Sequence, residues 1–363
     1  MKVTVSRDVL TNGIRKTTSA VNSKTTIPVL SNLLIEADAG KVVLTATDLE
    51  VCIRTELDAE VSESGKTTVP ARKFSQIVGA LAGDKVTLET NDNQQTSISC
   101  GKSFFKILGL DADEFPVDEA IDASWSFSLS AADFRRNLGK VAYAASTDET
   151  RHVLNGILLS IRNGVLTSVA TDGRRLALVE QNLEGDTPED CDVILPAKVV
   201  NELLKVLDSN EPLSIELSDS RASFSVEGTR ITSKLVEGSY PNYRQVIPGS
   251  FTQSAVIPRD EFVTVLNRVS MMVSESSASI SLKLENAKMT ISATSAEFGE
   301  ANEPMQVSYD AQDVEISFNP VFLGDPLRHL EAEQVVMQFN DEFSPISISG
   351  DEGFLCVIMP MRS

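Results

Sequence analysis

The sequence predicts an α+β fold of three tandem homologous domains, each made of two helix-plus-antiparallel-sheet halves. Three observations carry this: an internal repeat, two helical periodicities within each repeat, and short β-branched runs between them. Segments 33–54 (LLIEADAGKVVLTATDLEVCIR), 157–179 (ILLSIRNGVLTSVATDGRRLALV) and 280–298 (ISLKLENAKMTISATSAEF) read alike, and their Ala-Thr-Asp or Ala-Thr-Ser triplets start at Ala46, Ala170 and Ala293. A second set, VPARKFSQIVGAL from Val69, LPAKVVNELLKVL from Leu195 and FNPVFLGDPLRHL from Phe318, recurs at nearly the same period. Two independent markers with one period indicate repeated domains. Polar, turn-forming stretches at FPVDEAIDAS and IPGSFTQS then place the domains at 1–120, 121–250 and 251–363.

The first helix is expected over 6–24, where Leu10, Ile14, Thr17 and Val21 share one face at 100° per residue. The second, over 70–81, has Phe74, Ile77, Val78 and Leu81 on its apolar stripe, and the third, over 130–145, has Phe134, Leu138 and Val141. Val199, Leu203, Leu204 and Leu207 mark the fourth over 196–207, and Phe262, Leu266 and Val269 the fifth over 258–273. The sixth, over 319–330, contains Pro326, which removes a backbone donor and makes it the least regular. Between helices, runs such as KVVLTA, VTLE, TSISC, VLTSVA, LSIEL and KMTISA are rich in β-branched residues and bounded by Gly, Asp or Asn, as strands are.

Composition narrows the function. The chain has 363 residues, 42% apolar and 23% charged, with no apolar run near the roughly 20 residues that cross a bilayer. The start, MKVTVSRDVL, lacks the apolar stretch of a secretory signal, so a cytoplasmic protein is expected. Cys52, Cys100, Cys191 and Cys356 stand singly, and His152 and His329 are far apart, which argues against a disulfide framework or a Cys/His metal site. Fifty-two acidic residues against 32 basic ones give a net charge of −20, which on average repels a phosphate backbone. The distribution is uneven, however. The six helical segments hold 14 Lys or Arg against 6 Asp or Glu, a surplus of 8 positive charges in an acidic chain.

Lys198 and Lys205 share a helix face opposite Leu203; Arg72 and Lys73 lie across from Phe74 and Leu81, and Arg136 with Lys140 across from Phe134. Lys and Arg commonly do no more than solvate a helix, but repetition through an acidic chain points to one phosphate-attracting surface. No finger, stacking aromatic pair or other base-reading equipment accompanies it, so contacts would be to phosphates and indifferent to sequence.

Catalytic and cofactor signatures are missing. Gly65-Lys66-Thr67 and Gly101-Lys102-Ser103 lack the earlier glycine of a P-loop, Glu60 and Thr96 standing in its place. No GxSxG elbow, HExxH helix or DxDxDG loop occurs. Asp48 and Asp172 recur in the repeat, where a Thr-Asp ahead of an apolar strand reads as an Asx turn rather than as a pair of catalytic carboxylates. No enzyme, cofactor or metal is expected.

Two segments break the repeat: the apolar end CVIMPMRS from Cys356, and TDGRRL from Thr171 with YPNYRQVIP from Tyr240. Ordinary strand and turn packing is one account; an apolar groove lined by adaptable methionines, suited to a short peptide, is the other. With these segments the chain resembles the bacterial DNA polymerase III beta subunit family, the sliding clamps. The resemblance covers the whole length, through IPVLSNLL, TATDLE and VPARKF, then LNGILL, VATDGRRLA and SKLVEGSYPNYRQVIP, then FNPVFL and VIMPMR.

That resemblance implies the DNA clamp fold and a homodimeric ring of six similar domains around double-stranded DNA. The ring would confer processivity without catalysis, and polymerase, clamp loader and repair proteins would bind it through a short clamp-binding motif. It implies a peptide pocket of Leu154, Thr171, Gly173, Arg174, Arg175, Leu176, Pro241, Val246, Val357, Ile358, Met359, Pro360 and Met361. DNA-facing positions would be Lys24, Arg72, Lys73, Arg151 and Lys198, and dimer contacts Ile107 and Leu108 at one end with Met271 and Met272 at the other. The chain departs from the family at His152 and Val153, where well-known members carry two tyrosines, and at Gly79, which replaces a basic residue. The competing reading is a repeat scaffold that binds acidic protein partners on its basic helices and not DNA.

Overall fold

The computed structural model describes residues 1–21, 25–116, 120–185, 189–274 and 278–361. Among these residues six helices form where the apolar periodicity places them: α1 (Arg7–Thr17), α2 (Ala71–Ala80), α3 (Ala131–Ala142), α4 (Ala197–Val206), α5 (Arg259–Val269) and α6 (Pro320–His329). The stripe of α1 buries Leu10, Ile14 and Thr17, but the helix stops before Val21. Thr17 and Thr18 turn their hydroxyls back to the carbonyls of Gly13 and Ile14, both at 2.7 Å, and this competes with continuation of the helix. Gly13 packs closely under Leu57: a Cβ there would lie 2.8 Å from a methyl of the Leu57 side chain, which would have to shift. In α6 Pro326 is accommodated, its ring buried among Leu323, Gly324 and Leu327, while Asn319 caps the start by accepting from the Val321 N–H at 2.9 Å.

Among the described residues the strands assemble into four antiparallel sheets in two compact units. The first unit comprises 1–135 and 198–235, the second 136–197 and 236–363. In the first unit a five-stranded sheet ends on strand Ser103–Leu108, and an eight-stranded sheet joins domain 1 to half of domain 2. The join is made by Thr229–Lys234 pairing with Val51–Asp58, in the register Ile231 to Ile53 and Thr232 to Cys52. In the second unit a further eight-stranded sheet joins the other half of domain 2 to domain 3. There Arg175–Asn182 pairs with Phe354–Ile358, Leu176 opposite Val357. A four-stranded sheet ends on Gly299–Gln306. The predicted halves therefore do not keep a sheet each; neighbouring halves share sheets across the domain boundaries.

Phe74, Phe134, Phe262 and Phe318 are fully buried, one on each of three helices and the last in the strand just before α6. Burying such a side chain contributes about 1.5–3 kcal/mol.

Candidate functional site

Strand Val165–Thr171 reverses through Asp172 and Gly173 into strand Arg175–Asn182. Asp172 Oδ1 accepts the N–H groups of Arg174 (2.8 Å) and Arg175 (3.0 Å), and the Thr171 hydroxyl donates to the Arg175 carbonyl at 2.6 Å. Gly173 sits at φ +86°, in the left-handed region that favours glycine, and a Cβ there would lie 3.2 Å from an Arg151 guanidinium nitrogen. The Asx turn read from the sequence is thus formed, and Asp48 forms its counterpart by accepting from Glu50 (3.2 Å) and Val51 (2.9 Å).

Arg175 is pinned from several sides. Its guanidinium donates to Asp325 (2.6 Å), Asp172 (3.2 Å) and the Tyr143 carbonyl (2.6 Å), and lies 4.6 Å from the Phe322 ring centre. It thereby ties α6 to the turn. Strand Phe354–Ile358 lies beside Arg175–Asn182, and beyond Ile358 the chain leaves the sheet. The Met359 N–H donates to the Arg174 carbonyl at 2.9 Å and the Met361 N–H to the Ser317 carbonyl at 2.8 Å, which holds the Met-Pro-Met tail in place.

Two cavities result. One, of about 410 Å³, is lined by Arg174, Asn319, Phe322, Met359, Pro360 and Met361. The other, of about 60 Å³, is lined by Thr171, Gly173, Arg174, Arg175, Leu176, Val246, Val357 and Met359, so Arg174 and Met359 border both. Leu176 and Val357 belong to a buried apolar cluster with Leu158, Val169, Leu178 and Ile194, against which Val153, Tyr240 and Tyr243 pack.

Ten of the residues expected at a peptide pocket therefore line one cavity or the other. Three do not: Ile358 is fully buried between strand neighbours Arg175 and Ile346, Leu154 is half-buried in a short turn, and Pro241 is exposed on the loop. Asn319 and Phe322 were missed. No spacing in the sequence marks them; Phe322 is a half-exposed aromatic on α6 beside the buried residues Leu323 and Leu327.

The basic positions are unequal. Arg72 and Lys73 are exposed on α2, and among the described residues Lys73 bonds Gln76 at 3.3 Å. Lys198 is ion-paired with Asp48, and burial, opposed by nearby Glu202, holds its ammonium below the usual range. Arg151 is exposed, paired with Asp148 at 3.5 Å and bonded to the Asp172 carbonyl. Lys24 lies outside the described residues. One residue of the basic helix faces is not on a surface at all: Lys140 is 6% exposed and ion-paired with Asp351 at 2.5 Å. Gly79 is exposed with open space around it. At the expected dimer edges Leu108 is 66% and Met271 75% exposed, Met272 is half-buried, and Ile107 faces inward at 9%. Among the described residues no group of His, Cys, Asp or Glu is placed to hold a metal.

Family profiles match in tandem: DNA polymerase III beta subunit, N-terminal domain over 1–119, central domain over 128–242 and C-terminal domain over 244–362. The chain belongs to the DNA polymerase III beta subunit family. A beta sliding clamp of Chlamydia muridarum is 34% identical over 365 residues, covering 100% of this chain and 99% of that protein. One from Staphylococcus epidermidis is 30% identical over 376 residues, covering 100% of both. Among solved structures, the DNA polymerase III subunit beta of Pseudomonas aeruginosa superposes with a TM-score of 0.95 at 31% identity over the full length of both chains. The Bacillus subtilis DNA polymerase sliding clamp gives 0.95 at 28%, covering 100% of this chain and 99% of that one. The fold is that of the DNA clamps, three clamp domains in tandem, and the function is that of a DNA sliding clamp: a non-catalytic processivity factor in DNA replication, partnered with DNA and polymerase. No described helix is long and apolar enough to cross a membrane.

Proposed function

We propose that two copies of this clamp, each with domains at 1–120, 121–250 and 251–363, close end to end into a ring around double-stranded DNA in the cytoplasm. The observation that carries the ring is a pair of unpartnered sheet edges. Strand Ser103–Leu108 ends one sheet with Phe104 63%, Phe105 40% and Leu108 66% exposed, and Gly299–Gln306 ends another beside Met271 and a 54% exposed Phe298. Exposed strand edges invite pairing, and joining unlike ends about a two-fold axis closes the assembly with two equal interfaces. Leu108, Met271 and Met272 are the contacts proposed; Ile107 would support the edge from within.

Retention on DNA is then topological. A net charge of −20 opposes capture from solution, while Arg72, Lys73, Lys198, Arg151 and Lys24 would offer screened, sequence-independent phosphate contacts on which a ring can slide. Lys198, already paired with Asp48, would contribute least. Polymerase, clamp loader and repair proteins would dock a short peptide motif into the two cavities, with apolar anchors over Leu176, Val357, Met359 and Phe322.

Clamps loaded on a nicked DNA circle should survive dilution and fall off once the circle is linearised. Equal lifetimes on both forms would overturn the ring in favour of a scaffold without topological hold.

A further inference from the structure

Sulfur is unevenly placed in this chain. The four cysteines are buried, and burial foremost pushes the thiol of Cys191 up to about 11 and that of Cys356 up to about 12. Such thiols supply little of the thiolate that reacts with peroxide. Of the eight methionines, Met289, Met305 and Met337 are at most 3% exposed and Met1 is 8%. Met359 and Met361, by contrast, are 42% and 40% exposed, and their main chain is tied to Arg174 and Ser317, so both thioethers stand at the wall of the larger cavity rather than on a frayed end. Met271 and Met272 lie on the face assigned to dimerisation.

We propose that Met359 and Met361 form a peroxide-sensitive modification site whose oxidation shuts partner peptides out of the pocket. The proposal rests on the peptide-pocket reading above. The thioether sulfur attacks one oxygen of hydrogen peroxide, the O–O bond breaks as the S–O bond forms, and the departing hydroxide takes the remaining proton to leave as water. Sulfur loses two electrons, the peroxide gains them, and the product is methionine sulfoxide. An apolar, adaptable wall becomes a polar, chiral one, whose oxygen must find a hydrogen-bond donor wherever an apolar anchor covers it. Arg174 and Asn319 border the same cavity and offer donors, and where Arg174 answers, the oxidised wall draws a guanidinium across the space the anchor needs.

The test treats the full chain with hydrogen peroxide, maps sulfoxides by mass spectrometry, and titrates a synthetic peptide containing a glutamine and a leucine–phenylalanine pair by calorimetry. Met359 and Met361 should oxidise well before Met289, Met305 and Met337, and peptide affinity should fall at least about tenfold, with thermal unfolding unchanged. The double variant Met359→Leu/Met361→Leu, whatever its starting affinity, should keep that affinity through the same treatment, and a methionine sulfoxide reductase should restore the wild type. Unchanged affinity after oxidation of both residues, or equal loss in the double variant, overturns the proposal. Failure of the untreated wild type to bind the peptide overturns the pocket reading itself, and the modification proposal with it.

Discussion

Lys140 and Asp351 form a buried pair, 7% and 11% exposed at the side chain, and Asp351 also accepts the N–H groups of Glu331 (3.1 Å) and Ala332 (2.8 Å). Burial alone would raise the Asp351 pKa; the bonds from Lys140 and the two amides together outweigh it and hold the carboxyl below its usual range. A carboxyl depressed on folding stabilises the fold at every pH above its unfolded value, about 4, and that contribution fades as pH falls through the lower folded value. Asp351→Asn should therefore be less stable than wild type at pH 7, by about 3 kcal/mol because Lys140 loses its buried partner, and the difference should shrink below about pH 4. Urea unfolding at neutral and acidic pH measures it, and a gap independent of pH would remove the pair from the account. The sequence could not show this partnership. Helical spacing sets Lys140 opposite Phe134 and so among the exposed cations, and only the return of the chain near its end brings Asp351 to it. The Asx turns at Asp48 and Asp172 were legible because donor and acceptor lie within three residues of each other.

At the scale of elements, the Met-Pro-Met tail follows a strand and forms no part of the sheet it leaves. Deleting 359–363 should leave the proposed dimer and the thermal unfolding nearly unchanged while lowering affinity for the same peptide by at least about tenfold, or about 1.4 kcal/mol. Calorimetric titration of full-length and truncated protein decides this; equal affinities would make the tail a closing segment only. All six helices were readable, since a stripe such as Phe262, Leu266 and Val269 is written in adjacent turns. The end of α1 was not, because side-chain bonds from Thr17 and Thr18 override an apolar pattern that runs on to Val21. Phe322 escaped notice for a different reason: it matters through the tail it faces, and no periodicity within α6 records that.

For the whole molecule, replacing Met271 with Ala and Met272 with Glu should yield monomers in sedimentation, because a charge would be forced into the proposed apolar contact at the strand edge. An unchanged dimer would move the interface elsewhere. The threefold repeat was legible from its period, but the sharing of sheets between domains was not. Alternating strands such as Thr229–Lys234 and Val51–Asp58 suit many partners equally, and the one they take is fixed by the folded chain.

That sharing has a consequence for anyone who would dissect the clamp. Cut at the repeat boundaries, the central domain would lose the partners of Thr229–Lys234 and of Arg175–Asn182 together, and would carry two unpaired strand edges, with no proline on either and only Arg230 and Lys234 on one and Arg175 and Glu180 on the other to guard them. The piece that the sequence marks as a module would thus be the piece most prone to aggregate on its own. Evolution could copy the module as a gene segment, yet the protein can use it only spliced to neighbours on both sides.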